Sequence, residues 1–160
     1  MARDSDSSTT VSLFKYAPEH AQVFKALNEA WIRRYFVMET GDYKALDHPD
    51  DYIVKPGGHI VMASLNDEIV GTCALIKMSD GGYELAKMAV DDKAQGCGIG
   101  LALCEYLIDL ARTNKATRLY LESNTKLVPA INLYRKVGFV EIPIVGPGYD
   151  RVDIQMELIL

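Results

Sequence analysis

Residues 87–100 read KMAVDDKAQGCGIG, so a strand-like run, an acidic pair and a burst of glycine stand directly ahead of the helical stretch LALCEYLIDLAR (101–112). The first turn of a helix carries backbone N–H groups with no partner inside the helix. They point outward at the positive end of the dipole. Glycine lets the backbone approach a bulky anion and take torsions that other residues resist. Gly96, Gly98 and Gly100 therefore suggest a phosphate cradle at a helix start, with Gln95 as a further neutral donor. A turn that merely packs closely is the plain alternative. Both common nucleotide patterns fail here. A P-loop needs G-x-x-x-x-G-K-[ST], and no lysine follows. The G-x-G-x-x-G fingerprint needs glycine at 101 or 103, and both are leucine.

The flanking sequence sets this turn in a mixed sheet. SLFKYA (12–17) is expected as an edge strand, and Pro18 suits the first turn of a helix on which Phe24, Leu27, Trp31 and Tyr35 form one face. Residues 39–58 mix acids with Pro49 and Pro56, which predicts a loop with one or two short helices. HIVMASL (59–65) and IVGTCALIKM (69–78) flank the turn NDE as a hairpin, and YELAKMAV (83–90) is the next strand. On the helix after the turn, Leu101, Cys104, Leu107, Ile108 and Ala111 share a face. ATRLYLES (116–123) is a strand, Pro129 opens a helix through INLYRKV, and Gly138 suits the left-handed residue that closes it. FVEIPI and VDIQMELI (152–159) complete the strands. Segment 83–123 is a strand–helix–strand crossover, so its two strands should be parallel, whereas the hairpins should be antiparallel.

A chain of 160 residues predicts one domain over 11–160 behind a polar tail, 1–10. A net charge of -5 argues against nucleic acid or an anionic membrane as partner. There is no apolar run of transmembrane length and no secretory signal, and Cys73, Cys97 and Cys104 read as reduced thiols, so a cytoplasmic location is expected. His20, His48 and His59 lack metal-site spacing, and no metal is expected.

Gln95-x-x-Gly98-x-Gly100, between a strand and a helix, resembles the Q/R-x-x-G-x-G/A signature of the GCN5-related N-acetyltransferase (GNAT) superfamily. ELAKMAV is similar to the family's fourth strand, and PAINLYRKVGF to its A-x-x-L-Y-x-x-x-G-F helix ending. The element order matches from about residue 12 onward. The resemblance implies a mixed α/β fold: a central, mostly antiparallel sheet of about seven strands, one β-α-β crossover and helices on both faces. It also implies that the turn grips the pyrophosphate of acetyl-coenzyme A, with the pantetheine arm lying between two splayed strands.

By that resemblance, the cofactor is held by Met88, Ala89 and Val90 and by Gln95, Gly96, Cys97, Gly98, Ile99 and Gly100, with Tyr134 beside the sulfur. Many relatives carry an asparagine seven residues before the tyrosine; here Leu127 stands there and Asn124 lies three residues earlier. Asn124 is thus a candidate contact to the arm, or a strand-end cap. Tyr134 is the candidate general acid: a phenol near about 10 facing a thiolate near about 8.5 makes the transfer slightly uphill in water, and positioning must help. The alternative is a core residue beside Ile131. Glu84 is the candidate base, and Glu122 is more simply a polar residue on the sheet. Cys97 at a helix start raises an acyl-cysteine route, against which stands the lack of a neighbouring histidine.

In relatives the first helical region and the final hairpin shape the acceptor site. Those segments supply Trp31, Tyr35, Glu39, Asp42, Asp47, Asp50 and Asp51, with Tyr149, Asp150 and Arg151 opposite. The plain reading of these acids is a solvated, acidic loop; as a wall they would attract a cationic amine, and alternatively Arg33, Arg34 or Arg151 clamps a carboxylate. The expected activity is direct acetyl transfer from acetyl-coenzyme A to a primary amine of a small molecule or peptide. The rivals are a non-catalytic acyl-coenzyme A sensor and a half-Rossmann nucleotide binder. The alternating last strand is a candidate homodimer interface.

Overall fold

The computed structural model describes residues 10–146 and 148–160. Apart from Thr10, the expected polar tail lies outside the described residues. The elements are β1 (Val11–Lys15), α1 (Ala21–Tyr35), α2 (Thr40–Asp47), β2 (His59–Leu65), β3 (Glu68–Lys77), β4 (Tyr83–Val90), α3 (Ile99–Thr113), β5 (Arg118–Ser123), α4 (Val128–Lys136), β6 (Val140–Ile142) and β7 (Ile154–Ile159). A short 3-10 turn at Pro18–His20 leads into α1, and one π-helical turn, Asp50–Val54, follows α2. The strands form one sheet in the order β1-β2-β3-β4-β5-β7-β6. Only β4 and β5 run parallel, as the crossover between them requires.

Alternation along β2 and β3 divides the core between the two faces of the sheet. Ile60, Met62 and Ala74 pack with Phe24 and Ile32 of α1, Leu46 of α2 and Ile53. Val61, Ala63, Cys73 and Leu75 pack on the other face with Leu103 and Leu107 of α3, Ile131 and Tyr134 of α4, and Phe139. The mixed, mostly antiparallel sheet with helices on both faces is the architecture the sequence predicts.

Three local expectations need correcting. The buried stripe of α1 is Phe24, Asn28 and Ile32, one turn apart each time, whereas Leu27, Trp31 and Tyr35 lie half-buried on its flank. Asn28 is tolerated in that stripe because its side-chain amide donates to the Phe24 carbonyl, 3.0 Å away. β5 begins at Arg118 rather than 116, because Lys115 is left-handed (φ 60) and the Ala116 N–H still closes α3 onto the Ala111 carbonyl. β7 begins at Ile154, because the Val152 N–H turns back to the Tyr149 carbonyl.

Two irregularities of β4 set up everything that follows. Thr72 pairs with Ala89 and Ala74 with Ala86, so Lys87 and Met88 together oppose Cys73 alone. This is a bulge, and Lys87 sits in it with φ 55. On the other side of β4, the pairing with β5 consists only of Tyr83–Leu119 and Glu84–Tyr120. Among the described residues, no helix is long and apolar enough to cross a membrane.

Candidate active site

Beyond Glu84 and Tyr120 the two parallel strands part, and a cavity of about 290 Å³ opens at the split. Glu84, Lys87, Met88 and Val90 of β4 line one side, and Glu122 and Ser123 of β5 the other. Asn28 and Trp31 of α1, Phe36, Tyr52, Tyr134 of α4, and Tyr149 and Arg151 of the β6–β7 connection complete its lining.

Glu84 and Glu122 both face this space. Burial, then the neighbouring negative charge of Glu122, push the Glu84 carboxyl up to about 7, while Lys87 pulls the other way. Glu122 accepts a hydrogen bond from the Tyr120 hydroxyl at 2.7 Å. Tyr134 is 9% exposed, and its ring meets Phe139 edge-on at 6.1 Å between centroids. Burial, and then the thiols of Cys104 and Cys73, push the Tyr134 phenol well above its ordinary value, so it keeps its proton across the working pH range.

The glycine turn lies outside the lining of this cavity. Gly96 (φ 84) and Gly98 (φ 79) are left-handed, and a Cβ on either would meet nothing within 4 Å. Torsion rather than crowding therefore calls for glycine, and the space before the turn is open. The Gln95 and Cys97 N–H groups are used by the loop itself, donating to the carbonyls of Asp92 (3.2 Å) and Ala94 (3.4 Å). Gly98 caps α3, and the first bond of the helix runs from the Ala102 N–H to the Gly98 carbonyl. The N–H groups of Ile99, Gly100 and Leu101 are thus the first-turn donors without an intrahelical partner. Cys97 is exposed on the turn, Ala89 is buried, and neither lines the cavity.

Asn124 does line it, with its side chain engaged at both ends. Its Nδ2 donates to the Arg151 carbonyl (2.8 Å), and its Oδ1 accepts from the Lys126 N–H (2.9 Å). It ties the end of β5 to the β6–β7 connection, which is the capping alternative.

The acids of residues 39–51 do not form an acidic wall; most are paired. Asp47 pairs with Lys25 (2.6 Å), Asp51 with Lys55 (2.7 Å), and Asp50 accepts from the Tyr16 hydroxyl (3.0 Å). Asp42 is fully buried and sits in an ionic knot. Its two oxygens accept from Arg151 Nη1 (2.9 Å) and Nη2 (2.6 Å), and one also accepts from Lys87 Nζ (3.1 Å). The other closes on the Glu39 N–H at 2.9 Å. Lys87 donates to the Tyr149 hydroxyl (3.1 Å), and Arg151 reaches Glu39 (3.3 Å). Burial opposes the charge on Asp42, but hydrogen bonds from Arg151, the Glu39 backbone and Lys87 outweigh it and hold the carboxyl below its ordinary value. Tyr149 comes close enough for this only because residue 41 is glycine, where a Cβ would meet its ring at 2.9 Å.

A helix start with open amides, a bulged strand, a parting pair of parallel strands and a buried tyrosine thus occur together, and the model of the acetyltransferase (GNAT) family matches residues 21–139. The chain belongs to the GNAT acetyltransferase family. This N-acetyltransferase is similar to an IAA acetyltransferase of Azospirillum brasilense, 35% identical over 107 residues, 66% of this chain and 70% of that one. It is 33% identical over 93 residues to the N-alpha-acetyltransferase RimI of Mycobacterium tuberculosis, 56% of this chain and 57% of the other. In fold it resembles a GNAT-family acetyltransferase of Staphylococcus aureus Mu50 (TM-score 0.84, 22% identity, 94% and 99% of the two chains). It also resembles Ard1 of Thermoplasma volcanium (TM-score 0.76, 20% identity, 94% and 97%).

Lys87 is the charged residue of the cavity lining that sequence reasoning missed. Strict alternation would put Glu84 and Lys87 on opposite faces, and only the bulge brings both to the cavity. Breaking the knot leaves the buried Lys87 ammonium without an ion-pair partner and Arg151 with Glu39 alone. Asp42→Asn should therefore cost about 3–5 kcal/mol of stability near neutral pH, measured by denaturant unfolding. Because the Asp42 carboxyl is held below its unfolded value, that contribution is present above the unfolded pKa and fades as pH falls through the folded one. The gap between variant and parent should accordingly narrow below about pH 4.

Proposed function

We propose that this acetyltransferase moves an acetyl group directly from acetyl-coenzyme A to a primary amine within a ternary complex. The observation that carries this reading is the cavity at the β4–β5 split, which gathers Glu84, Met88, Val90 and Tyr134. The open first-turn amides of α3 and the left-handed Gly96 and Gly98 suit a diphosphate, with Gly100 serving the close approach of α3 to Leu133. The parted backbone of Met88 to Val90 suits an extended arm laid along β4. Acetyl-coenzyme A supplies the thioester, and the remaining work falls to residues of this chain.

Glu84 takes a proton from the amine. An alkyl ammonium near about 10.4 is mostly charged at neutral pH, and a carboxylate near 7 is a far better base than an ordinary one. A main-chain N–H beside the bulge faces the thioester carbonyl and stabilises the charge that develops on its oxygen. Tyr134 gives its proton to the departing sulfur. Its buried phenol is a weak acid, but a thiolate released into the same apolar space is correspondingly more basic. Cys97, exposed and outside the cavity, has no place in this sequence of events. Incubation with acetyl-coenzyme A and a broad amine panel, with free thiol as the readout, tests the activity; silence across the panel overturns it.

Tyr134→Phe should lower kcat by roughly 10²–10⁴-fold while leaving coenzyme A affinity, measured by calorimetry, nearly intact. Equal loss of both would make the tyrosine structural. The acid limb of kcat/KM should fall near pH 7 and vanish in Glu84→Gln. The groups facing Glu84 are Lys87 on its own strand, Glu122 and Tyr120 on β5, and Tyr149 and Arg151 from the β6–β7 connection; α1 presents the neutral Asn28. Lys87→Met removes a positive neighbour and should move the limb to higher pH. Glu122→Gln removes a negative one and should move it lower. A limb that ignores both substitutions rules Glu84 out as the base.

A further inference from the structure

Cations reach the acceptor end of the cavity, yet they are already engaged. Lys87, whose side chain is 7% exposed, bonds Asp42 and Tyr149 and lies 4.8 Å from the Tyr149 ring centroid. Arg151 gives two hydrogen bonds to Asp42 and one to Glu39, and its guanidinium stacks 4.3 Å from the same ring. Near Phe36, which lines the cavity, Lys126 donates to the Tyr35 carbonyl (2.9 Å) and rests 4.2 Å from the Phe36 centroid. Two carboxylates, Asp42 and Glu39, therefore answer Lys87 and Arg151, and the knot is balanced.

The other two carboxylates are not answered. Among the described residues, neither Glu84 nor Glu122 has an ion-pair partner; Glu122 has only the Tyr120 hydroxyl. The charge left facing the free space is negative. Around it stand Trp31, Ile32, Phe36, Tyr52 and Ile76, a wall of aromatic and aliphatic side chains. A cationic nitrogen is drawn to the carboxylates and an apolar body to that wall. A carboxylate attached beside the nitrogen meets Glu84 and Glu122 and finds no free cation.

We propose that the acceptor is a primary amine on an apolar or aromatic body that carries no carboxylate beside its nitrogen. This rests on the acetyl transfer proposed above and narrows it. Arg151 is thus a strut of the β6–β7 connection and not a clamp for the acid group of an amino acid.

Three probes that share one ring separate the cases: 2-phenylethylamine, phenylalanine amide and phenylalanine. With acetyl-coenzyme A fixed and free thiol read out, the first two should be acetylated with kcat/KM at least about tenfold above phenylalanine. Glu39→Gln frees one face of Arg151 and should narrow that ratio several-fold. Phenylalanine turned over as well as its amide, or a ratio unmoved in Glu39→Gln, overturns the proposal. Calorimetry on the coenzyme A complex keeps the two readings apart. If the complex forms and no amine is acetylated, the transfer reading fails, and binding of the three probes still judges the acceptor class. Binding of the amine and the amide but not the acid supports it; binding of the acid, or of none, overturns it.

Discussion

Tyr83–Leu119 and Glu84–Tyr120 are the only register pairs that join β4 to β5, and the site depends on their being the last. A parallel pair that continued would satisfy its backbone groups and close the sheet. Here the strands part, and backbone donors and acceptors beyond Glu84 lose their cross-strand partners in the middle of a seven-stranded sheet. That is costly in a dry interior and acceptable where water or an extended ligand completes the ladder. The cavity, the lining by Met88 and Val90 and the access to Tyr134 are consequences of this one departure from regular pairing.

Polar ties join the elements around the split. Asp42 binds side chains 45 and 109 residues away, Lys87 and Arg151, and so fastens α2, the β4 bulge and the β6–β7 connection to one another. Asn124 adds a second tie from β5 to the same connection. A buried ion cluster is weak evidence of stability, because desolvation offsets its attraction. Its value here lies in geometry: it fixes Lys87 in a left-handed bulge three residues from Glu84 and settles which charges face the opening.

Much of this was legible in the sequence, and the limits have physical causes. The strand–glycine–helix segment was readable because left-handed Gly96 and Gly98 and the cap of α3 are local features. Gly138, left-handed at φ 112, closes α4 for the same reason. Hydrophobic alternation located the strands, though not their ends at Arg118 and Ile154, which turn hydrogen bonds decide. The stripe on α1 was misread because Asn28 looks polar, and its amide is satisfied by its own helix. The acid-rich stretch 39–51 reads equally as a solvated loop or an electrostatic wall, because each carboxylate's fate depends on partners that only the fold supplies. The bulge at Lys87 has no signature in the strand's composition, and with it went the pairing of Glu84 and Lys87 in one cavity.

The proposed acetyl transfer requires that the parted stretch of β4 and the start of α3 together receive a single extended acyl carrier. Titrating isotope-labelled protein with coenzyme A, and following backbone amides by NMR, tests it most directly. The largest changes should fall on Met88, Val90 and the run from Gly98 to Leu101, saturating together at one stoichiometric equivalent. Changes that leave β4 and the first turn of α3 untouched, or that saturate at different concentrations in the two places, would contradict it.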